Sequence, residues 1–396
     1  MALPNDAYKK VAEMWTFPES ESFRKMLEAL MTLEEAEFLL QCTTPVTAPA
    51  LAKKLNADEN QIAQKLDNLA KRGLIYRGKT EYLFRRGVHF SFGGAPVSPE
   101  YAPKPEYTQW RKQWSEENPL REVKLWKNYY DKTKFPVHRV WPARLAILSN
   151  PNIKKEDLLW HEDIEQIFRR AEIIISGPCG CRSGGSMGGK SNVKLEDNRG
   201  MRCDHPMWNC FQFSKEVLNF ARRDGGHGNM KVYTVEEALA KSDEAERAGL
   251  IHEGPFNAAL MPGVMCSCAN DCCGIIISSR NSGEDMHALY SPSRFLATVE
   301  QDKCSGCQEC VGRCFVESIE MVKVPGSKKM KAQITAEDCY GCGVCVVGCP
   351  QKAIKFDLVR LQNIIRRHQW PTERLPPRLN NVIVNHKIII ANPPGG

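Results

Sequence analysis

Two runs decide how this chain is read: Cys304-Ser305-Gly306-Cys307-Gln308-Glu309-Cys310-Val311-Gly312-Arg313-Cys314, and Cys339-Tyr340-Gly341-Cys342-Gly343-Val344-Cys345-Val346-Val347-Gly348-Cys349-Pro350. Each has the spacing C-x-x-C-x-x-C-x-x-x-C. A tight loop with that spacing brings three thiolates onto one iron–sulfur cage and leaves a fourth pointing elsewhere. Zinc would require two C-x-x-C pairs, which explains neither the third cysteine of each run nor the repeat. The 17 cysteines are odd in number and fall in short-spaced groups. That argues for metal chemistry in a reducing compartment over a disulfide framework.

Over roughly residues 296–356 the runs resemble the bacterial two-cluster ferredoxin family. The resemblance implies a pseudo-symmetric α+β unit holding two [4Fe-4S] clusters that pass single electrons. In such ferredoxins the fourth cysteine of each run serves the other cluster. One cluster is then expected on Cys304, Cys307, Cys310 and Cys349, and the other on Cys339, Cys342, Cys345 and Cys314. One departure is visible: Phe315 follows the first run where the usual pattern has proline, which loosens a turn but removes no ligand. Gly306, Gly341 and Gly343 are expected to let backbone N–H groups approach the sulfurs.

A length of 396 residues predicts two or three domains. Hydrophobic content of 42% and charged content of 26% are those of an ordinary globular chain. Met1–Lys10 carries neither an apolar stretch nor a twin arginine, and no apolar run reaches membrane-spanning length. The expected location is therefore cytoplasmic, away from membranes. The net charge of +7 is modest, but Lys323, Lys328, Lys329, Lys331, Lys352 and Lys355 crowd the cysteine runs. Such a rim suits an acidic redox partner, or is an ordinary solvated hairpin.

The first part of the chain, residues 1–92, has a different pattern. Leu30, Leu33, Ala36 and Leu40 follow helical spacing. Thr47 caps a second helix with Leu51 and Leu55 one turn apart. Asn56 and Glu59 suggest a capping box opening a third, where Ile62, Leu66 and Leu69 make one stripe that Gly73 stops. Leu74–Tyr76 and Tyr82–Phe84 read as a two-stranded wing. Three helices and a wing resemble the winged-helix family. Gln61, Gln64, Lys65, Asn68 and Lys71, with Arg77, Lys79, Arg85 and Arg86, could meet DNA. Glu59 and Asp67 on the same helix, and the frequent use of such modules for docking, favour a protein partner over nucleic acid. Cys42 stands alone and reads as a small buried hydrophobe.

Residues 93–160 are rich in proline and aromatics, among them Tyr101, Tyr107, Trp110, Trp114, Trp126, Tyr129, Tyr130 and Trp141. They read as an irregular connecting segment pinned by rings. Residues 161–295 form a cysteine-rich α/β region, with a helix over Asp163–Ala171, a strand over Glu172–Ser176 and a helix over Val235–Ala248. It carries eight further cysteines: Cys179, Cys181, Cys203, Cys210, Cys266, Cys268, Cys272 and Cys273. One or two additional Fe–S clusters, a zinc ion or redox thiols all fit, with a further Fe–S cluster favoured. The order Cys-x-Cys-Arg, Cys-x-Cys, Cys-Cys and then a ferredoxin is similar to that of some multi-cluster Fe–S proteins. His205, His227 and His252 read as surface or packing histidines.

Gly184–Ser191 spells the phosphate-binding pattern G-x-x-x-x-G-K-S. That mechanism needs the loop to leave a strand and open a helix, and the flanking sequence offers neither. It reads as a glycine loop between metal ligands. After the ferredoxin-like unit, residues 357–396 read as a helix (from Phe356 to Arg367) and a strand-bearing tail.

The expected fold class is therefore α+β multidomain: a winged-helix-like module, a cysteine-rich α/β region and a C-terminal dicluster unit. The expected function is electron transfer, as a partner or subunit of an oxidoreductase complex in anaerobic metabolism. A redox-sensing DNA-binding regulator and a reductase with a catalytic Fe–S site are the alternatives, and a homo-oligomer stays open.

Overall fold

A computed structural model describes residues 6–14, 19–72, 74–77, 80–84, 105–117, 121–177, 179, 205–206, 208–213, 231–255 and 262–360. Cys181, Cys203, His227, Gly184–Ser191, Lys79, Arg85, Arg86 and the tail from residue 361 lie outside these.

The first core is helical. It comprises α1 (Ala7–Met14), α2 (Glu21–Leu30), α3 (Leu33–Leu40), α4 (Ala48–Leu55) and α5 (Glu59–Lys71). The stripe read from Leu30 to Leu40 is divided between α2 and α3, because Met31 is extended and Thr32 forms a capping box with Glu35. Thr47 caps α4 as expected, its hydroxyl accepting from the Ala50 N–H. Asn56 does not open α5: it closes α4 with φ 51°, and Asp58 caps α5. Asparagine tolerates the left-handed conformation, so it serves a helix end as readily as a start. β1 (Val46–Thr47), β2 (Tyr76–Arg77) and β3 (Glu81–Leu83) make a small sheet in the order β1-β3-β2. Cys42 is fully buried, its thiol pushed up to about 12 by burial.

Among its described residues the aromatic segment carries two regular helices, α6 (Pro105–Glu117) and α7 (Arg121–Thr133), where an irregular run was expected. Tyr107, Trp110 and Trp114 fall one and two turns apart, so the rings punctuate a helix face. Tyr107 is buried in the first core, and Trp114 meets Phe23 of α2 with ring centroids 5.5 Å apart.

The middle of the chain is one seven-stranded sheet. In chain order come β4 (His138–Val140), the short helix α8 (Arg144–Leu148), α9 (Ile164–Arg170), β5 (Ile174–Gly177), β6 (Cys210–Gln212), β7 (Lys231–Tyr233) and α10 (Val235–Arg247). Then follow β8 (Ile251–Pro255), β9 (Val264–Cys268), α11 (Gly274–Asn281), α12 (Met286–Leu289) and β10 (Tyr290–Ser291). The strand order is β10-β4-β8-β9-β6-β5-β7, antiparallel except between β10 and β4. Strand alternation sorts the faces. Trp141 and Met265 pack with Ile164, Phe168 and Leu239 under α9 and α10, while Val140, Ile251, Cys266 and Cys268 belong to the opposite core.

The C-terminal unit pairs β11 (Phe295–Val299) with β14 (Ile354–Leu358), and β12 (Ile319–Lys323) with β13 (Met330–Ile334); α13 (Val344–Val347) lies between β13 and β14. The helix expected from Phe356 is overturned over its first residues: Phe356–Leu358 complete β14. Phe356 stacks on Phe295 at 4.9 Å, and its burial on that partner outweighs helical spacing.

A buried ion pair joins this unit to the middle region. Glu162 accepts from Arg294 Nε at 3.0 Å on both carboxylate oxygens. Nearby, His161 is held neutral, its pKa lowered to about 3 by burial and by the charges of Arg139 and Arg294. An unfolded histidine titrates near 6.5, so in acid the unfolded chain binds a proton that the folded chain refuses. Stability is expected to fall by up to about 1.4 kcal/mol per pH unit from this group as pH drops from 6.5 towards 3. Denaturation midpoints across that window should show a shallower slope for His161→Asn.

Candidate metal centres

Each cysteine run wraps a loop around its own cavity and lends its fourth cysteine to the other. One cavity, with about 350 Å³ of empty space, is lined by Cys304, Cys307, Cys310 and Cys349. The other, about 340 Å³, is lined by Cys339, Cys342, Cys345 and Cys314. Two crossing cysteines carry the same backbone contact: the Ser318 N–H donates to Cys314 Sγ and the Ala353 N–H to Cys349 Sγ, both at 3.2 Å. An N–H aimed at sulfur favours a thiolate and tunes a cluster's potential. Four convergent thiols with N–H donors behind them fit a [4Fe-4S] cluster at each cavity.

The loop glycines also have a steric use. Gly306 has φ 73° and Gly341 φ 63°; a Cβ on Gly306 would collide with the carbonyl of Met330, and one on Gly341 with the carbonyl of Phe295. Their bareness lets the loops lie against a neighbouring strand.

The two cavities differ in exposure. Cys307 is exposed, whereas Cys339 and Cys345 are buried. Burial pushes the Cys342 thiol up to about 12. Of the basic rim, Lys323, Lys328, Lys329 and Lys352 are exposed, while Lys331 donates to the Gln301 carbonyl and Lys355 pairs with Glu300. Phe315, the residue in the usual proline position, is 1% exposed and lines the second cavity. Its ring lies 6.0 Å from Tyr290 and 5.4 Å from Tyr340. It belongs to the same core as Cys266, Cys268 and Cys273. The departure at Phe315 therefore packs the second cavity against the middle region.

There, five thiols form a continuous array. Cys210 contacts Cys179 and lies 3.4 Å from Cys266; Cys266 meets Cys268, and Cys268 meets Cys273. The strand pattern places Cys266 and Cys268 on one face of β9, with Cys210 at the start of β6 beside it. Hydrogen bonds from Cys210 and Cys268 lower the pKa of Cys266, while contacts with Cys179 and Cys266 raise Cys210 and contacts with Cys266 and Cys273 raise Cys268. The adjacent cysteine Cys272 points away and groups with His205 and Asp271 near the surface. His252 packs on the opposite face of the sheet against Ser242, Glu246 and Ser267.

Two residues of this site went unread in the sequence. Glu253 on β8 is 1% exposed; its Oε2 lies 2.7 Å from His138 Nδ1 and its Oε1 3.2 Å from Cys268 Sγ. The available signal was a charged residue directly after the buried run Leu250-Ile251-His252. His138, on β4 and 115 positions away, gave none.

Residues 297–356 match the family model described as a 4Fe-4S dicluster domain. A ferredoxin of Methanothermococcus thermolithotrophicus is 42% identical over 59 residues, which are 90% of its length and 14% of this chain. Through residues 297–356 the chain belongs to the two-cluster ferredoxin family. The dicluster domain is also similar to part of one subunit of the ion-translocating oxidoreductase complex of Methanosarcina acetivorans, at 29% identity over 21% of this chain and 25% of that protein. The pyruvate synthase subunit PorD of Methanothermobacter marburgensis is 32% identical over 16% of this chain and 67% of its own length. The domain is thus an Fe–S electron-transfer module within a chain of 396 residues. No helix of the described residues is long and apolar enough to cross a membrane.

Proposed function

We propose that the chain is an electron-transfer protein serving a cytoplasmic oxidoreductase of anaerobic metabolism. Cys304, Cys307, Cys310 and Cys349 would hold one [4Fe-4S] cluster, and Cys339, Cys342, Cys345 and Cys314 the other. The middle thiols would hold at least one further Fe–S centre. When bound, such clusters supply one-electron transfer at little reorganisation cost. The observation that carries this reading is the crossing of the runs, which gives each of two cavities four cysteines.

The residues divide the work. Exposed Cys307 gives the first site an open approach with Glu309 and Lys329 at its rim, and the exposed Lys323, Lys328 and Lys352 suit an acidic redox partner. Phe315, Tyr290 and Tyr340 exclude water between the second site and the thiol array. Relatives named as subunits of an ion-translocating oxidoreductase complex and of a pyruvate synthase support a partner of that kind. The N-terminal module is proposed as a winged helix used for protein docking. In it Lys65 pairs with Glu34 and Arg77 with Asp67, so two cations that DNA phosphates would need are already engaged.

Anaerobic iron and sulfide quantification, with a reductive EPR titration of the same sample, tests the proposal. Roughly 12 to 16 irons per chain are expected. About eight would remove the middle centre, and fewer would remove the dicluster reading itself.

A further inference from the structure

Glu253 is a buried carboxylate set among sulfur donors. It is 1% exposed in the middle of the seven-stranded sheet, and β8 sets it directly across from Cys266 in the register with β9. One of its oxygens contacts Cys268 Sγ; with Cys273 Sγ these donor atoms all lie within 4.8 Å of one another, and all three residues are buried. Two sulfurs and a carboxylate oxygen converging in a dry site make a donor set that one metal ion can bridge. Donors about 2.0–2.3 Å from one tetrahedral metal are themselves ~3.5 Å apart, so this trio is spaced near what a single metal requires.

We propose that Glu253 is an oxygen ligand in the middle metal centre, binding one iron together with Cys268 and Cys273. The assignment rests on the reading that the middle thiols hold iron. His138, 2.7 Å from the other carboxylate oxygen, fixes the orientation of Glu253. Trp126 and Tyr290 pack against the imidazole at 4.3 and 5.3 Å, so the pair is held from behind by rings. Cys179, Cys210 and Cys266 extend the donor set along the sheet with sulfur alone. One end of the array therefore carries mixed oxygen–sulfur ligation, and the other end thiolate ligation. A metal at the mixed end has fewer protein thiolates than a fully cysteine-bound iron, and harder donors.

The test uses the full-length chain reconstituted anaerobically with Mössbauer-active iron, as wild type, Glu253→Cys and Glu253→Gln. Metal content and the Mössbauer spectrum are read for each, and the dicluster EPR signals report that the protein is folded. In the wild type, iron beyond about eight per chain is expected, with one iron distinguishable by oxygen ligation. Glu253→Cys should retain the iron count and convert that iron to a thiolate signature, while Glu253→Gln should lose about one iron or more. If the wild type carries the extra iron and both variants leave its spectrum unchanged, Glu253 is no ligand and the middle centre stands. If no metal beyond the dicluster complement binds, the middle centre falls and the assignment with it.

Discussion

Gly341→Ala should cost the protein about four irons per chain while the first site stays loaded. The residue holds φ 63°, where a Cβ alone costs about 1–2 kcal/mol. The greater cost comes from the collision with the Phe295 carbonyl and Ser293 Oγ, backbone and buried groups with nowhere to move. Ser293 fastens the loop at that point: its N–H donates to the Tyr340 carbonyl at 3.0 Å and its hydroxyl to the Gly341 carbonyl at 2.6 Å. Relieving the collision means lifting the loop that carries Cys339, Cys342 and Cys345. Iron analysis and EPR of the reconstituted variant measure the loss. Gly306→Ala should do the same to the first site, because its Cβ would strike the Met330 carbonyl. Gly326→Ala is the control: its φ of 80° is equally left-handed, but nothing lies within 4 Å of the added carbon. If Gly341→Ala retains as much iron as Gly326→Ala, the close-packing account of the loop is wrong.

Arg294→Met should destabilise the chain by about 3–5 kcal/mol, the usual consequence of leaving one partner of a buried ion pair alone. The Glu162 side chain is 1% exposed and is met by the Arg294 guanidinium on both oxygens. Arg294 stands immediately before β11 and Glu162 immediately before the cap of α9, so the pair links the dicluster domain to the middle region. Methionine keeps much of the volume and removes the charge. The double variant Glu162→Gln with Arg294→Met should recover part of the loss, since the stranded charge is then gone. Denaturant midpoints of wild type, single and double variants measure both effects. A single variant within about 0.5 kcal/mol of wild type would show that the pair contributes nothing to the junction.

The dicluster domain was legible because its signal is local. Cys304 to Cys314 and Cys339 to Cys349 are each one short loop, and ligand spacing within a loop is fixed by chain geometry, independent of what packs around it. Thr47 was legible as a cap for the same reason: its side chain meets an N–H three residues on. Where two local readings compete, the sequence misled. Asn56 fits a helix start and a helix end, and the choice lies in a φ of 51°. Tyr107, Trp110 and Trp114 were in view as rings, yet prolines on either side hid their helical spacing.

By itself the sequence determined that this chain carries two iron–sulfur loops, a separate helical module before them and a cysteine-dense region between. Only the tertiary structure decided which thiols meet. Cys210 and Cys266 are 56 positions apart and 3.4 Å apart in space; Glu253 and His138 are 115 positions apart and in contact. Such pairs are set by strand order and register in the seven-stranded sheet, which depend on burial along every strand at once. Phe315 is the plainest case. In the sequence it was a missing proline; in the fold it is the ring that seals the second cysteine cavity against the thiol array.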